Sequence, residues 1–201
     1  MRNLILCMLL FVNGGVLNRN ASLKPGKIIS LDVNKAQSKL NWHATKPTGT
    51  HDGTIGIYSG KLNLQGKKLL GGYVLIDMPS LQVTDLKSPD KEKLENNLKG
   101  DNFFDTGKFA VARFDITNVD YVDVTDQRKV MISGNLNMHG IVKKISFKTG
   151  VQKNTSQEFI AVADAVINRR DWKIATENFK YNNFISPIIT LHIVLKAAPA
   201  I

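Results

Sequence analysis

The sequence predicts an all-β protein: eight antiparallel strands forming a barrel or a sandwich, with one short helix at about 89–99 between the third and fourth strands. Three observations carry this. Apolar and polar residues alternate with period two from about residue 38 onward, as they must where successive side chains face opposite sides of a sheet. Turn-forming residues break that alternation at short intervals. Only one segment carries helix signals at both of its ends. A chain of 201 residues can bury a sizeable core in one domain, with no need for a metal or disulfide staple.

The chain opens MRNLILCMLLFVNGG. Arg2 is a short positive lead-in, and Leu4–Val12 is an apolar run of nine residues. That is too short to span a bilayer and suits the apolar region of a secretory signal. Residues 1–15 therefore read as a signal peptide, which implies a periplasmic or secreted protein. Residues 16–30 read as a mobile leader. Cys7, the only cysteine, follows Leu6 rather than a small residue, so lipidation is not expected. Once the signal is removed, no thiol remains for a disulfide or a nucleophile.

The strands follow at 38–45, 54–64, 70–79, 109–119, 129–138, 142–152, 158–167 and 187–196. In the first, Leu40, Trp42 and Ala44 share a face opposite Asn41 and His43. Ile55 and Ile57 start the second, which runs on to Leu62 and Leu64. Tyr73–Met78 is almost continuously apolar and is expected to be buried on both faces. Ala112, Phe114 and Ile116 oppose Arg113 and Asp115. Val130, Ile132, Leu136 and Met138 oppose Ser133, Asn135 and Asn137. Ile145, Phe147 and Val151 oppose Lys144, Ser146 and Lys148.

Ser88 is placed to cap the helix, Pro89 suits its first position, and Asp90 and Glu92 favour its positive end. Leu94 and Leu98 lie on one face, and Gly100 can end the helix. Just beyond, Phe103 and Phe104 stand side by side among Asp101, Asn102 and Asp105. Neighbours in a helix or strand diverge, so both rings can be buried only at a corner of the chain. Such a corner, at one end of a closed barrel, would shield or line a mouth. Closure also removes exposed sheet edges, and about eight strands leave room for one small ligand or a filled core.

Formal charge is +10 at pH 7. A basic surface suits nucleic acid, anionic lipid or acidic ligands, and export disfavours the first. Lys144 and Lys148 face outward, where they can make transient contact with an anionic membrane surface. His43, His51, His139 and His192 show no metal-ligand spacing, and neither a nucleophile elbow nor a phosphate loop is present. Asp120, Asp123 and Asp126 lack the glycine and terminal glutamate of a calcium loop. No metal or cofactor is expected, and the protein does not read as an enzyme.

Three stretches, LKGDNFFDTGKF (98–109), GNLNMHGIVKKISF (134–147) and INRRDWKI (167–174), resemble in order three signature stretches of the YceI-like family. The resemblance extends over residues 31–197. It departs from the family pattern at Asn97, where histidine is frequent, at Ala110, where proline is common, and at Trp172-Lys173, where phenylalanine-glycine is usual. The resemblance implies a lipocalin-like, eight-stranded antiparallel barrel. Such a protein would hold a long isoprenoid or another amphiphilic lipid in its lumen, as a carrier or buffer.

Candidate lumen residues, assigned from alternation, are Trp42, Ile55, Ile57, Phe103, Phe104, Phe114, Ile116, Leu136, Phe147 and Trp172. Candidate headgroup contacts are His139 and Arg169, a guanidinium being suited to phosphate or carboxylate. Two rival readings make different demands. A filled barrel serving as an envelope interaction module needs inward side chains that meet at the axis. An enzyme acting on an apolar substrate needs His139 or His192 to meet a carboxylate at the pocket.

Overall fold

The computed structural model describes residues 26–122, 128–175 and 186–200. The signal reading of residues 1–15 and the leader reading of 16–25 fall outside these residues, as do Asp123 and Asp126.

Among the described residues nine strands form one antiparallel sheet that closes on itself. They are β1 (Ile28–Val33), β2 (Lys39–Lys46), β3 (Gly49–Gln65), β4 (Lys68–Val83), β5 (Val111–Tyr121), β6 (Lys129–Met138), β7 (Ile141–Asn154), β8 (Phe159–Asn168) and β9 (Ile188–Ala198). The barrel nevertheless has eight staves. β3 pairs with β2 along Gly49–Ile55 and with β1 along Lys61–Gln65, and both β1 and β2 pair with β9. β1 and β2 thus share one stave, end to end, and the long β3–β4 hairpin completes the circuit.

β1 is the element that alternation missed. Residues 28–30, expected in the leader, belong to it. Only Ile29, Leu31 and Val33 face the core, too few to register as a period, so pairing with distant strands makes this strand. It also makes the helix-bearing connection follow the fourth strand rather than the third. The helix itself, α1 (Asp90–Lys99), sits at the expected residues.

The cap of α1 differs from expectation. Pro89 occupies the N-cap position with no side-chain bond to the helix, and the Ser88 hydroxyl donates instead to Glu92 Oε1 at 2.5 Å. Gly100 ends the helix in extended rather than left-handed backbone. The outer face of Tyr73–Met78 is only half-buried, so that run is not enclosed on both sides; Arg113 lies 4.4 Å over the Tyr73 ring.

Bulges let the strands keep apolar residues inside over such lengths. In β3, Ile55 and Ile57 face inward at odd positions but Leu62 and Leu64 at even ones; an irregularity between Ile57 and Ser59 resets the phase. In β5 the same reset between Ile116 and Asn118 hands the inner face from Phe114 to Val119 and Tyr121.

Candidate functional site

The two ends of the barrel are finished differently. At the end where β1 meets β3, Leu31, Leu62, Leu64, Val130 and Phe159 are all but inaccessible and close the interior. At the other end stand the β2–β3 hairpin, α1, the β6–β7 turn and a short 3-10 turn, Arg169–Trp172. Between them Ile76, Ile116, Phe147, Leu191, Ile193 and Leu195 belong to the inner face yet stay partly accessible. An apolar side chain that faces inward in a closed barrel and is still accessible borders empty space. That space is a cavity of about 440 Å³ on the side of α1, with a smaller one of about 90 Å³ deeper in. Leu40, Ile76, Leu136 and Leu191 line both, so the two spaces abut along the axis.

Two large rings sit where they do because a neighbouring strand carries glycine. Trp42 lies opposite Gly53, where an added Cβ would come within 2.4 Å of the indole. Gly134 accommodates the Phe114 ring in the same way, at 2.5 Å. Phe103 and Phe104 are buried together at the corner after α1, their centroids 4.9 Å apart in an edge-on pair. The corner is built from backbone bonds, Phe103 and Asp105 N–H to the Gly100 carbonyl and Phe104 N–H to the Leu98 carbonyl, with Asp105 in left-handed backbone.

The larger cavity gathers Trp42, Ile55, Phe103, Phe104, Leu136 and Arg169 from the sequence candidates. The smaller one gathers Ile57, Phe114, Ile116 and Phe147, and again Leu136. Trp172 and His139 line neither, which corrects both assignments. The 3-10 turn drives Trp172 into the protein behind the wall, where its Nε1–H donates to the Leu136 carbonyl at 3.1 Å. His139 occupies the first position of a two-residue hairpin turn with φ of 53°, which turns its ring onto Phe109 at 4.5 Å.

Arg169 is wholly buried. Its Nη1 donates to the Ile174 and Ala175 carbonyls at 2.7 and 2.9 Å, and its guanidinium lies 5.5 Å from the Phe103 ring centre. Burial, with a contribution from the Arg170 charge, lowers its pKa from the ordinary arginine value.

A polar chain at the mouth was not legible in the sequence. Lys46 Nζ lies 2.7 Å from His51 Nε2, and His51 Nδ1 lies 2.8 Å from Asp85 Oδ2. Asp85 Oδ1 accepts from the Asp52 N–H. Burial pushes the Asp85 pKa up, but hydrogen bonds from His51 and from the backbone N–H groups of Asp52 and Asp85 outweigh it, and the net direction is down. Lys46 and His51 line the larger cavity. Asp85 is 34 residues from His51, and no local spacing announces the pair. Among the described residues the other histidines do not meet carboxylates there. His43–Asp52 and His192–Asp164 are paired on the outer surface. Among the described residues no cluster of histidine and acidic side chains could hold a metal.

The model of the YceI-like domain matches residues 31–197. The chain belongs to the YceI-like family. Solved structures share the YceI-like fold at low identity. BcnA of Burkholderia cenocepacia superposes with a TM-score of 0.67 at 16% identity, over 83% of this chain and 99% of that one. A polyisoprenoid-binding domain from Saccharophagus degradans, implicated in plant cell wall breakdown, gives 0.63 at 17%, over 87% and 100%. The YceI protein of Campylobacter jejuni gives 0.55 at 20%, over 68% and 76%. Among curated proteins no sequence matches this YceI-like chain.

Proposed function

We propose that this YceI-like protein binds the tail of a long-chain isoprenoid or similar amphiphilic lipid in its lumen, and that it acts in the periplasm or outside the cell as a carrier or buffer that does no chemistry on its cargo. The observation that carries the reading is the accessible apolar inner face between a packed end and an open one. A volume of about 440 Å³ falls in the usual range of small-molecule sites, about 300–1,000 Å³. A filled barrel would not leave these side chains accessible. The likeness in fold to a polyisoprenoid-binding domain supports the same direction.

Burial of an alkyl tail is worth about 0.8 kcal/mol per CH₂, so even a modest tail is strongly retained against water. The lipid's alternative, however, is a membrane that is equally apolar. Retention against membrane must come from shape and from the headgroup. That is why a carrier needs both an apolar tube and a polar mouth, and why delivery calls for brief contact with the bilayer. The exposed Lys144 and Lys148 suit an anionic surface, at about 1 kcal/mol per basic residue close to it.

Protein purified from its own cell envelope under gentle conditions and sprayed intact into a mass spectrometer is expected to carry an added mass. Extraction should return that mass as an unmodified single-tailed lipid. Protein that emerges bare, with no lipid in the extract, would sink the proposal.

A further inference from the structure

The larger cavity is apolar along its walls and polar at its mouth. Among the described residues its lining includes two basic side chains, Lys46 and Arg169, and no carboxylate. Arg169 Nη1 serves the backbone of the loop after the 3-10 turn. Lys46 is held differently. The His51 Nδ1–H donates to the Asp85 carboxylate, which leaves Nε2 as the acceptor, and the Lys46 ammonium donates to it. The chain therefore fixes three things at once: the imidazole tautomer, the ring's orientation and the place of the ammonium. One N–H of Lys46 is used in this way, and an ammonium has three. Among the described residues no carboxylate lies within ion-pair distance of Lys46. The acid of the chain stands beyond the imidazole, away from the lysine. The cavity is thus presented with a basic side chain whose direct partner is an imidazole nitrogen rather than a carboxylate.

We propose that the lumen's ligand carries an oxyanion headgroup, a phosphate monoester or a carboxylate, and that Lys46 binds it at the mouth while His51 and Asp85 act as positioning residues. This rests on the lumen reading above and names the class of amphiphile that the lumen takes. A charged hydrogen bond that a neutral headgroup cannot form supplies the discrimination against membrane that an apolar tube lacks.

The test uses the full chain freed of lipid and three probes: geranylgeranyl phosphate, geranylgeraniol and inorganic phosphate, titrated calorimetrically at neutral pH. The phosphate lipid is expected to bind about tenfold or more tighter than the alcohol. Lys46→Met should erase that ratio by weakening the phosphate lipid far more than the alcohol, and Lys46→Arg should keep it. His51→Ala should lower the ratio several-fold by the same selective loss, whereas a purely structural loss would weaken both lipids alike and leave the ratio standing. Equal binding of phosphate and alcohol by the native chain, or a ratio that survives Lys46→Met, overturns the inference and leaves the lumen reading standing. Binding of neither lipid to chain that melts cooperatively overturns both. Inorganic phosphate binding as tightly as the lipid phosphate overturns the headgroup assignment in favour of a free-anion site.

Discussion

The two ends of the barrel are made from the same strands and the same kinds of side chain, yet one end is solid and the other hollow. Leu62 and Leu64, on β3, have no accessible surface, whereas Leu191 and Ile193, on β9 and equally inward, retain some. Hydrophobicity does not separate them. What separates them is whether something faces them across the axis. At the solid end β1 is slotted into the stave it shares with β2, and Leu31 and Phe159 complete the packing. At the hollow end the closing pieces, α1 and the Phe103–Phe104 corner, sit over the space rather than in it. The solid end supplies the stability, and the hollow end leaves apolar contacts unmade so that a ligand can make them.

The largest effect should follow from digging into the solid end. Leu64→Ala removes methyl groups from a fully buried site that borders neither cavity and is expected to cost about 3 kcal/mol in urea unfolding. Leu191→Ala only enlarges an existing space, and its cost should be well below that. Equal losses at the two positions would mean that the lumen is packed in solution, and the contrast would collapse.

Adding bulk should invert the order of damage. Ala197→Phe, at the solid end, has nowhere to put the ring and should cost about 1–3 kcal/mol. Ala44→Phe, on the cavity wall near the mouth, should leave the melting temperature almost where it was and displace retained lipid, read as loss of the added mass. A lipid load undiminished by Ala44→Phe would place the ligand elsewhere.

How much of this could be read beforehand follows from how local each cause is. Alternation is local, so eight strand segments were legible and Val130 to Met138 fell within the predicted bounds. Phases across a bulge are less local: the inward shift from Ile57 to Leu62 depends on how β3 meets β4. β1 is not local at all, since its partners lie at 61–65 and 197–198. The lumen residues followed from strand phase, whereas Trp172 and His139 sit on turns, where period-two reasoning has no purchase. Lys46, His51 and Asp85 come from β2, β3 and the exit of β4, and it is the register of the β2–β3 and β3–β4 hairpins that brings them together.

A smaller effect should arise on the turn that buries Trp172. Lys173 follows it with φ of 56°, in the left-handed region, where the family resemblance leads one to expect glycine. A side chain in that region is strained, and the Lys173 side chain is exposed with no packing to lose. Lys173→Gly should therefore stabilise the fold by about 0.5–1 kcal/mol, after allowing for the freedom that glycine gains when unfolded. Lipid affinity should not change, because Trp172 lies behind the lumen wall. A destabilised variant would mean that this turn is held by something other than its backbone angles.

The smallest effect concerns the mouth and depends on acidity. In the folded protein the Asp85 pKa lies below its ordinary value of 3.8, because the hydrogen bonds from His51 and from two backbone N–H groups outweigh desolvation. A carboxyl group with a depressed folded pKa contributes stability above its unfolded pKa, and loses it as pH falls through the folded one. Native protein should accordingly melt slightly higher than Asp85→Asn at neutral pH, and the gap should close as pH drops below 3.8 toward the folded value. Among the described residues the buried packing of the solid end includes no carboxylate, so Leu64→Ala should show a deficit with no such acid-side closure. If the Asp85→Asn gap persisted unchanged into acid, the His51–Asp85 contact would not be the source of the difference, and Lys46 would have lost the group that orients its partner.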